Sequence, residues 1–162
     1  MLDLKRTLEL VKGALFDSEA TWRAYLPEAH DWKKTAFLLT GPLIVASVVL
    51  AYLIAFAGSE VSAFGLRPTL ASSLLNLVSS AITAALVGFI YSAISGSFGG
   101  KSDFALGLAA TTLAFVPGYV GQALAWLPWI GFLLAIGLFI YSLMLLWRIL
   151  PIYLEVPDSK RA

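Results

Sequence analysis

Four charge-free apolar runs, 36–57, 69–95, 104–126 and 129–147, dominate this chain and leave only the first 34 residues as a substantial water-facing segment. A helix rises about 1.5 Å per residue and the hydrocarbon slab is about 30 Å thick, so about 20 apolar residues cross it. Each run reaches about that length. Inside lipid a backbone must satisfy its own hydrogen bonds, and Leu/Ala-rich runs without period-2 alternation do so as helices rather than barrel strands. The expected fold is all-α: a polytopic transmembrane bundle of four spans, or five if residues 117–129 add a re-entrant or interfacial piece.

Charge patterning sets the expected sidedness. Lys5, Arg6, Lys12, Arg23, Lys33 and Lys34 precede the first run, and Arg148, Lys160 and Arg161 follow the last. Lys101 sits between runs two and three, whereas only Arg67 separates runs one and two. The positive-inside rule then puts both termini in the cytoplasm, which an even number of spans also requires. Trp32, Trp126, Trp129, Trp147 and Tyr153 fall near the expected interfaces as an aromatic belt. The organisation that follows is a cytoplasmic amphipathic segment (1–34), a transmembrane helical domain (35–150) and a cytoplasmic tail (151–162). Charged residues fill the place of a signal peptide's apolar core, so no leader is expected. With no cysteine, disulfide and thiolate chemistry are excluded.

Leu4, Leu8, Val11 and Leu15 recur at helical spacing opposite Lys5, Glu9 and Lys12, which predicts an amphipathic helix over residues 3–16. Its apolar face suits either the headgroup region or the bundle's cytoplasmic end. Asp17 and Ser18 offer a cap for a second short helix carrying Trp22 and Tyr25, ended by Pro27. Glu28, His30 and Asp31 are residue types that ligate divalent metals, but nothing in their spacing makes them converge. No metal and no cofactor are expected.

The second run holds a row at strict i+4 spacing: Ser72, Asn76, Ser80, Ala84, Gly88, Ser92 and Gly96, every member small or polar. Such a row forms a shallow groove that another helix can approach, within the chain or across a homodimer. Ser73 and Thr83 widen its first half, and a polar seam lining a cavity is the second reading. Asn76 cannot face acyl chains unpaired without a cost of several kcal/mol. Its expected partners are Thr111, Thr112 and Gln122 of run three, and Asn76, Thr83, Thr111, Thr112 and Gln122 make up the candidate seam. No Asp, Glu, Lys, Arg or His lies in the middle of any run, which argues against proton-coupled or ion-pair-switched transport. Pro42 and Pro117 should kink the first and third runs.

The loop Phe98-Gly99-Gly100-Lys101-Ser102-Asp103-Phe104 permits a tight reversal through its glycines, with Ser102 or Asp103 capping the next helix. The backbone donors of Gly99 and Gly100, together with Lys101, also offer an anion site such as a lipid phosphate would use. This loop, following a small-residue-rich run and leading into one interrupted by a proline, resembles the Yip1-domain family, in which a Gly-Gly-Lys-Gly-Ser-Phe turn precedes a span with a proline near its far end. Ala20-Thr21-Trp22 is similar to the family's Pro-x-x-Thr-Trp segment, and the basic tail resembles that of small bacterial members. Departures are Asp103 in the turn, Asp17 and Ser18 in place of the upstream proline, and four runs where the family usually has five spans. The resemblance implies a location in the bacterial inner membrane. For eukaryotic kin it implies binding of lipidated Rab GTPases and a part in vesicle traffic.

The first functional expectation is a noncatalytic membrane scaffold or adaptor, self-associating as a homodimer or binding another membrane protein. The second is a small transport or lipid-handling protein using the polar seam. An intramembrane enzyme lacks the carboxylate pair or histidine cluster it would need at membrane depth. Membrane lipids are expected partners and nucleic acid is not.

Overall fold

A computed structural model describes residues 3–57, 69–127 and 130–157. Arg67, Trp129, Lys160 and Arg161, on which part of the sidedness and belt reading rests, lie outside the described residues. All regular structure within them is helical.

Helix α1 (Leu4–Phe16) starts where Asp3 accepts the Arg6 N–H at 3.1 Å. It turns sharply into α2 (Ser18–Tyr25), so closely that a Cβ on Gly13 would strike the Thr21 side chain. The hairpin packs into the bundle instead of standing apart. Trp22 and Tyr25 are fully buried, and the Tyr153 hydroxyl donates to the Trp22 carbonyl at 2.8 Å. The face of α1 that packs is only in part the predicted one: Thr7, Leu10 and Ala14 are buried and Val11 and Leu15 pack beside them, while Leu4 and Leu8 are 64% and 59% exposed. At about 100° per residue the packed stripe is rotated by about a quarter turn from the Leu4-Leu8-Val11-Leu15 stripe. The alanine and threonine allow close approach there, and Leu4 and Leu8 remain outward.

The first long helix begins with α3 (Trp32–Thr35), passes through a π-helical turn (Ala36–Thr40) and continues as α4 (Gly41–Ala57). Pro42 supplies no N–H, and the irregularity falls in the turn before it, as a proline in the first turn of α4 dictates. The wider turn leaves the Leu38 carbonyl to accept from the Thr7 hydroxyl at 2.7 Å. Helix α5 (Leu70–Ser97) opens with a capping box between Thr69 and Ser72. Helix α6 (Phe104–Ala114), capped by Asp103, and α7 (Val116–Leu124) form one run bent by 47°. The break falls at Phe115, ahead of the residue 117–129 stretch, because Pro117 is accommodated in the first turn of a new helix. Helix α8 (Gly131–Tyr153) runs six residues beyond the last apolar run, through Arg148 and Pro151.

Among the described residues three helices are long and apolar enough to cross a membrane, Trp32–Ala57, Leu70–Ser97 and Gly131–Tyr153, and up to four spans result when the bent α6–α7 pair counts as one. Helix α5 lies on α6 and α4, α8 lies on α7 and α6, and α5 and α8 stand apart. The α5–α6 crossing is set by glycine: a Cβ on Gly88 would come within 2.9 Å of Leu108 Cα and 3.0 Å of Leu108 N, and one on Gly107 would strike the Gly88 carbonyl. The ion pairs of the described residues gather at one end, where α1, α2 and the tail meet. Glu28 holds Arg6 at 3.1 Å and Lys34 at 2.9 Å, Glu19 holds Arg23 at 2.9 Å and Arg148 at 3.8 Å, and Lys101 meets Glu155 at 2.6 Å.

Candidate functional site: an uncharged cavity between α5 and α8

All five seam residues predicted from sequence, Asn76, Thr83, Thr111, Thr112 and Gln122, line a single cavity of about 420 Å³. It occupies the half of the bundle away from the charged end. Helix α5 forms one wall, the bent α6–α7 run the floor, and Phe139 of α8 the opposite edge. The bend at Phe115 is what opens it: α6 follows α5 closely through Gly88 and Gly107, and beyond the bend α7 leaves α5 to pack on α8 and α4.

A chain of neutral hydrogen bonds ties the walls together. Gln122 Nε2 donates to Asn76 Oδ1 at 2.9 Å, and the Ser80 hydroxyl donates to the same oxygen at 3.1 Å. Ser47 of α4 donates to Gln122 Oε1 at 3.2 Å and to its own helix at Ile44 O, 2.9 Å. Deeper in, the hydroxyls of Thr40 and Thr112 meet at 2.9 Å while both are buried. Thr111 satisfies itself on the Gly107 and Leu108 carbonyls. The break in the helix is also satisfied, since Gly118 N donates to Ser142 Oγ at 2.8 Å. Asn76 therefore finds the expected run-three partner in Gln122, on the segment past the bend.

The i+4 row divides at its middle. Gly88 and Ser92 are buried against α6, and Gly96 abuts Ser102, where a Cβ would come within 2.9 Å. Asn76, Ser80 and Ala84 face the cavity, and Ser72 serves in the α5 cap. The inner half of the groove is filled by the chain's own helix, which leaves the outer half as the part a second helix can reach. Sequence reasoning missed Thr40, Ser47, Ser79, Tyr119 and Phe139. Thr40 and Ser47 are seven residues apart on one helical face, a signal that was present in run one.

The loop read as an anion site is occupied by the chain itself. Gly100 N donates to Ser95 O at 2.8 Å, Gly99 N to Gly96 O at 3.2 Å, and Lys101 N to Leu154 O at 2.7 Å. Gly99 adopts φ 83°, the left-handed conformation that glycine supplies without strain. The backbone donors of Gly99 and Gly100 are thus spent on the turn and that of Lys101 on docking the tail, while the Lys101 ammonium lies on Glu155. Glu28, His30 and Asp31 likewise serve separate partners: Glu28 binds Arg6 and Lys34, Asp31 caps α3, and His30 lies 3.9 Å from Asp103. The Lys34 hydrogen bond, then that of Arg6, holds the Glu28 carboxyl below the usual carboxylate range against its partial burial.

No curated protein and no solved structure matches this chain. The model of the Yip1 domain matches residues 12–162, so nearly the whole helical structure described above falls within it. The chain belongs to the Yip1 domain family, and its apolar helices fit a multi-pass membrane protein of that type.

Proposed function

We propose that this protein is a noncatalytic, lipid-handling member of its family, taking an amphipathic ligand sideways from the bilayer into the cavity between α5 and α8. The observation that carries this reading is the convergence of hydroxyl and amide side chains from α5, α6 and α7 on one open cavity between two helices that make little contact with each other. Pockets of about 300–1,000 Å³ with a few placed polar groups in an apolar wall are the usual form of small-ligand sites. The lining consists of hydroxyls, amides and hydrocarbon, a set suited to holding a molecule rather than reacting with it. Native mass spectrometry from lipid tests this: wild type should retain a lipid, and Ala84→Phe, which fills the cavity, should lose it. Equal retention by Ala84→Phe and by the outward-facing control Gly137→Phe refutes the reading.

A scaffold or adaptor role, with self-association or a membrane partner, is favoured by the open outer half of the α5 row, where Ser72 and Asn76 are exposed beside the exposed Leu74, Leu75 and Val78. The subunit count in the same spectra separates it. In either reading the protein sits in the cell membrane with both termini cytoplasmic, as the gathering of charge at one end supports. Because the chain has no cysteine, impermeant maleimide added to intact cells should label Ala57→Cys and spare Lys12→Cys. Labelling at Lys12→Cys reverses the orientation.

A further inference from the structure

Resting on the lipid-handling reading, we infer that the cavity selects an uncharged lipid, one whose head presents hydroxyl and ester oxygens as a diacylglycerol does, and rejects anionic phospholipid. The first ground is the lining: Asn76, Ser79, Ser80, Thr83, Thr111, Thr112, Tyr119 and Gln122 are its polar members, and none carries charge. A phosphate brought among them would lose its water with no cation to replace it, which is the costliest form of polar burial.

The second ground is what remains available for bonding. Asn76 Oδ1 is taken by Gln122 and Ser80, Ser79 donates to Asn76 O, and Thr111 and Thr112 are satisfied. Among the described residues this leaves the Asn76 amide nitrogen, the Thr83 hydroxyl and the Tyr119 hydroxyl without partners. An amide N–H donates, and each hydroxyl both donates and accepts, so together they match a head with free hydroxyls and carbonyl oxygens. The start of α7 at the cavity floor would ordinarily attract an anion. Here Pro117 has no N–H, Gly118 N is on Ser142 Oγ and Tyr119 N is on Phe115 O, so three of the first four positions of α7 offer an anion no backbone donor.

The third ground is size and access. At about 30 Å³ per water-sized group, a cavity of 420 Å³ holds the equivalent of about 14 such groups, a head and the first part of its chains. The rest of the hydrocarbon must lie outside, and the gap between α5 and α8, edged by Val87 and the half-exposed Phe139, leads there.

The test compares dioleoylglycerol with dioleoylphosphatidylglycerol, each titrated into the purified full-length protein in neutral detergent while its melting temperature is followed. Dioleoylglycerol should raise Tm with the logarithm of its concentration above Kd, by about 5–10 °C at a hundredfold excess. The rise should vanish in Ala84→Phe and require at least tenfold more lipid in Asn76→Leu. Any effect of the anionic lipid should be the same in all three proteins. A cavity-dependent response to phosphatidylglycerol without one to dioleoylglycerol overturns the inference and keeps the lipid-handling reading. No dependence on Ala84 for either lipid overturns both. Should Ala84→Phe fail to fold, a photoactivatable diacylglycerol on wild type decides: crosslinks confined to residues 76–87, 111–122 and Phe139 support the inference, and crosslinks elsewhere refute it.

Discussion

Replacing Gly88 with alanine adds one carbon at the closest point of the α5–α6 crossing. Its Cβ would sit 2.9 Å from Leu108 Cα and 3.0 Å from Leu108 N, against the about 3.5–4.0 Å at which carbon contacts are favourable. Both opposing atoms are backbone and cannot rotate away, so α6 must retreat by about 0.5–1 Å. Overpacking of this kind costs about 1–3 kcal/mol. Alanine's better helix propensity returns up to about 1 kcal/mol, which leaves a net loss of up to about 2 kcal/mol. For a chain of this size that lowers Tm by up to about 8 °C. Gly137→Ala is the matched control, because a Cβ there meets nothing within 4 Å; it keeps the propensity gain alone, and Tm should hold or rise by about 2–4 °C. Thermal unfolding of both variants in the same detergent, followed by circular dichroism, makes the comparison. Equal Tm values would refute the argument that backbone contact at Gly88 sets the crossing.

Thr112→Val strands the buried Thr40 hydroxyl and should cost about 1 kcal/mol, while the Thr40→Val/Thr112→Val pair should regain most of it in a double-mutant cycle of unfolding free energies. At the tail, Glu155→Ala removes an exposed ion pair and should change stability by less than about 1 kcal/mol. Gly100→Ala instead drives a Cβ into the Leu154 carbonyl and should release the tail to proteolysis. Since the folded state depresses the Glu28 pKa, its stabilisation is full above the unfolded value of about 4.3 and is lost as pH falls through the lower folded value. Hydrogen exchange of α1 should accelerate across that acid window in wild type and lose that step in Glu28→Gln.

Much of the candidate site was legible because each of its members breaks a pattern. Asn76, Thr83, Thr111, Thr112 and Gln122 are polar residues inside runs that otherwise contain little but hydrocarbon, and a polar group in lipid must have a partner. Which partner was not legible. Asn76 meets Gln122, not Thr111 or Thr112, because the chain bends at Phe115 and carries Gln122 toward α5's outer half. The anion reading of Gly99, Gly100 and Lys101 did not anticipate that the turn's own carbonyls would take the two glycine N–H groups and that a tail more than fifty residues later would meet Lys101. The packed stripe of α1 was also hidden, since its Thr7 and Ala14 carry little hydrophobic signal and were chosen by fit to a surface made by other helices.

Local composition determined that the chain forms apolar helices of membrane-crossing length, that charge gathers outside them and that the α5–α6 turn is tight, because each follows from the solvent a short segment can tolerate or the φ it can adopt. Tertiary structure decided which half of the small-residue row is packed and which half is open, and it alone made a cavity from five dispersed polar residues. The cause is a bend at one residue: it sends the second half of a helix to a different neighbour, and no window of sequence states which neighbour that will be.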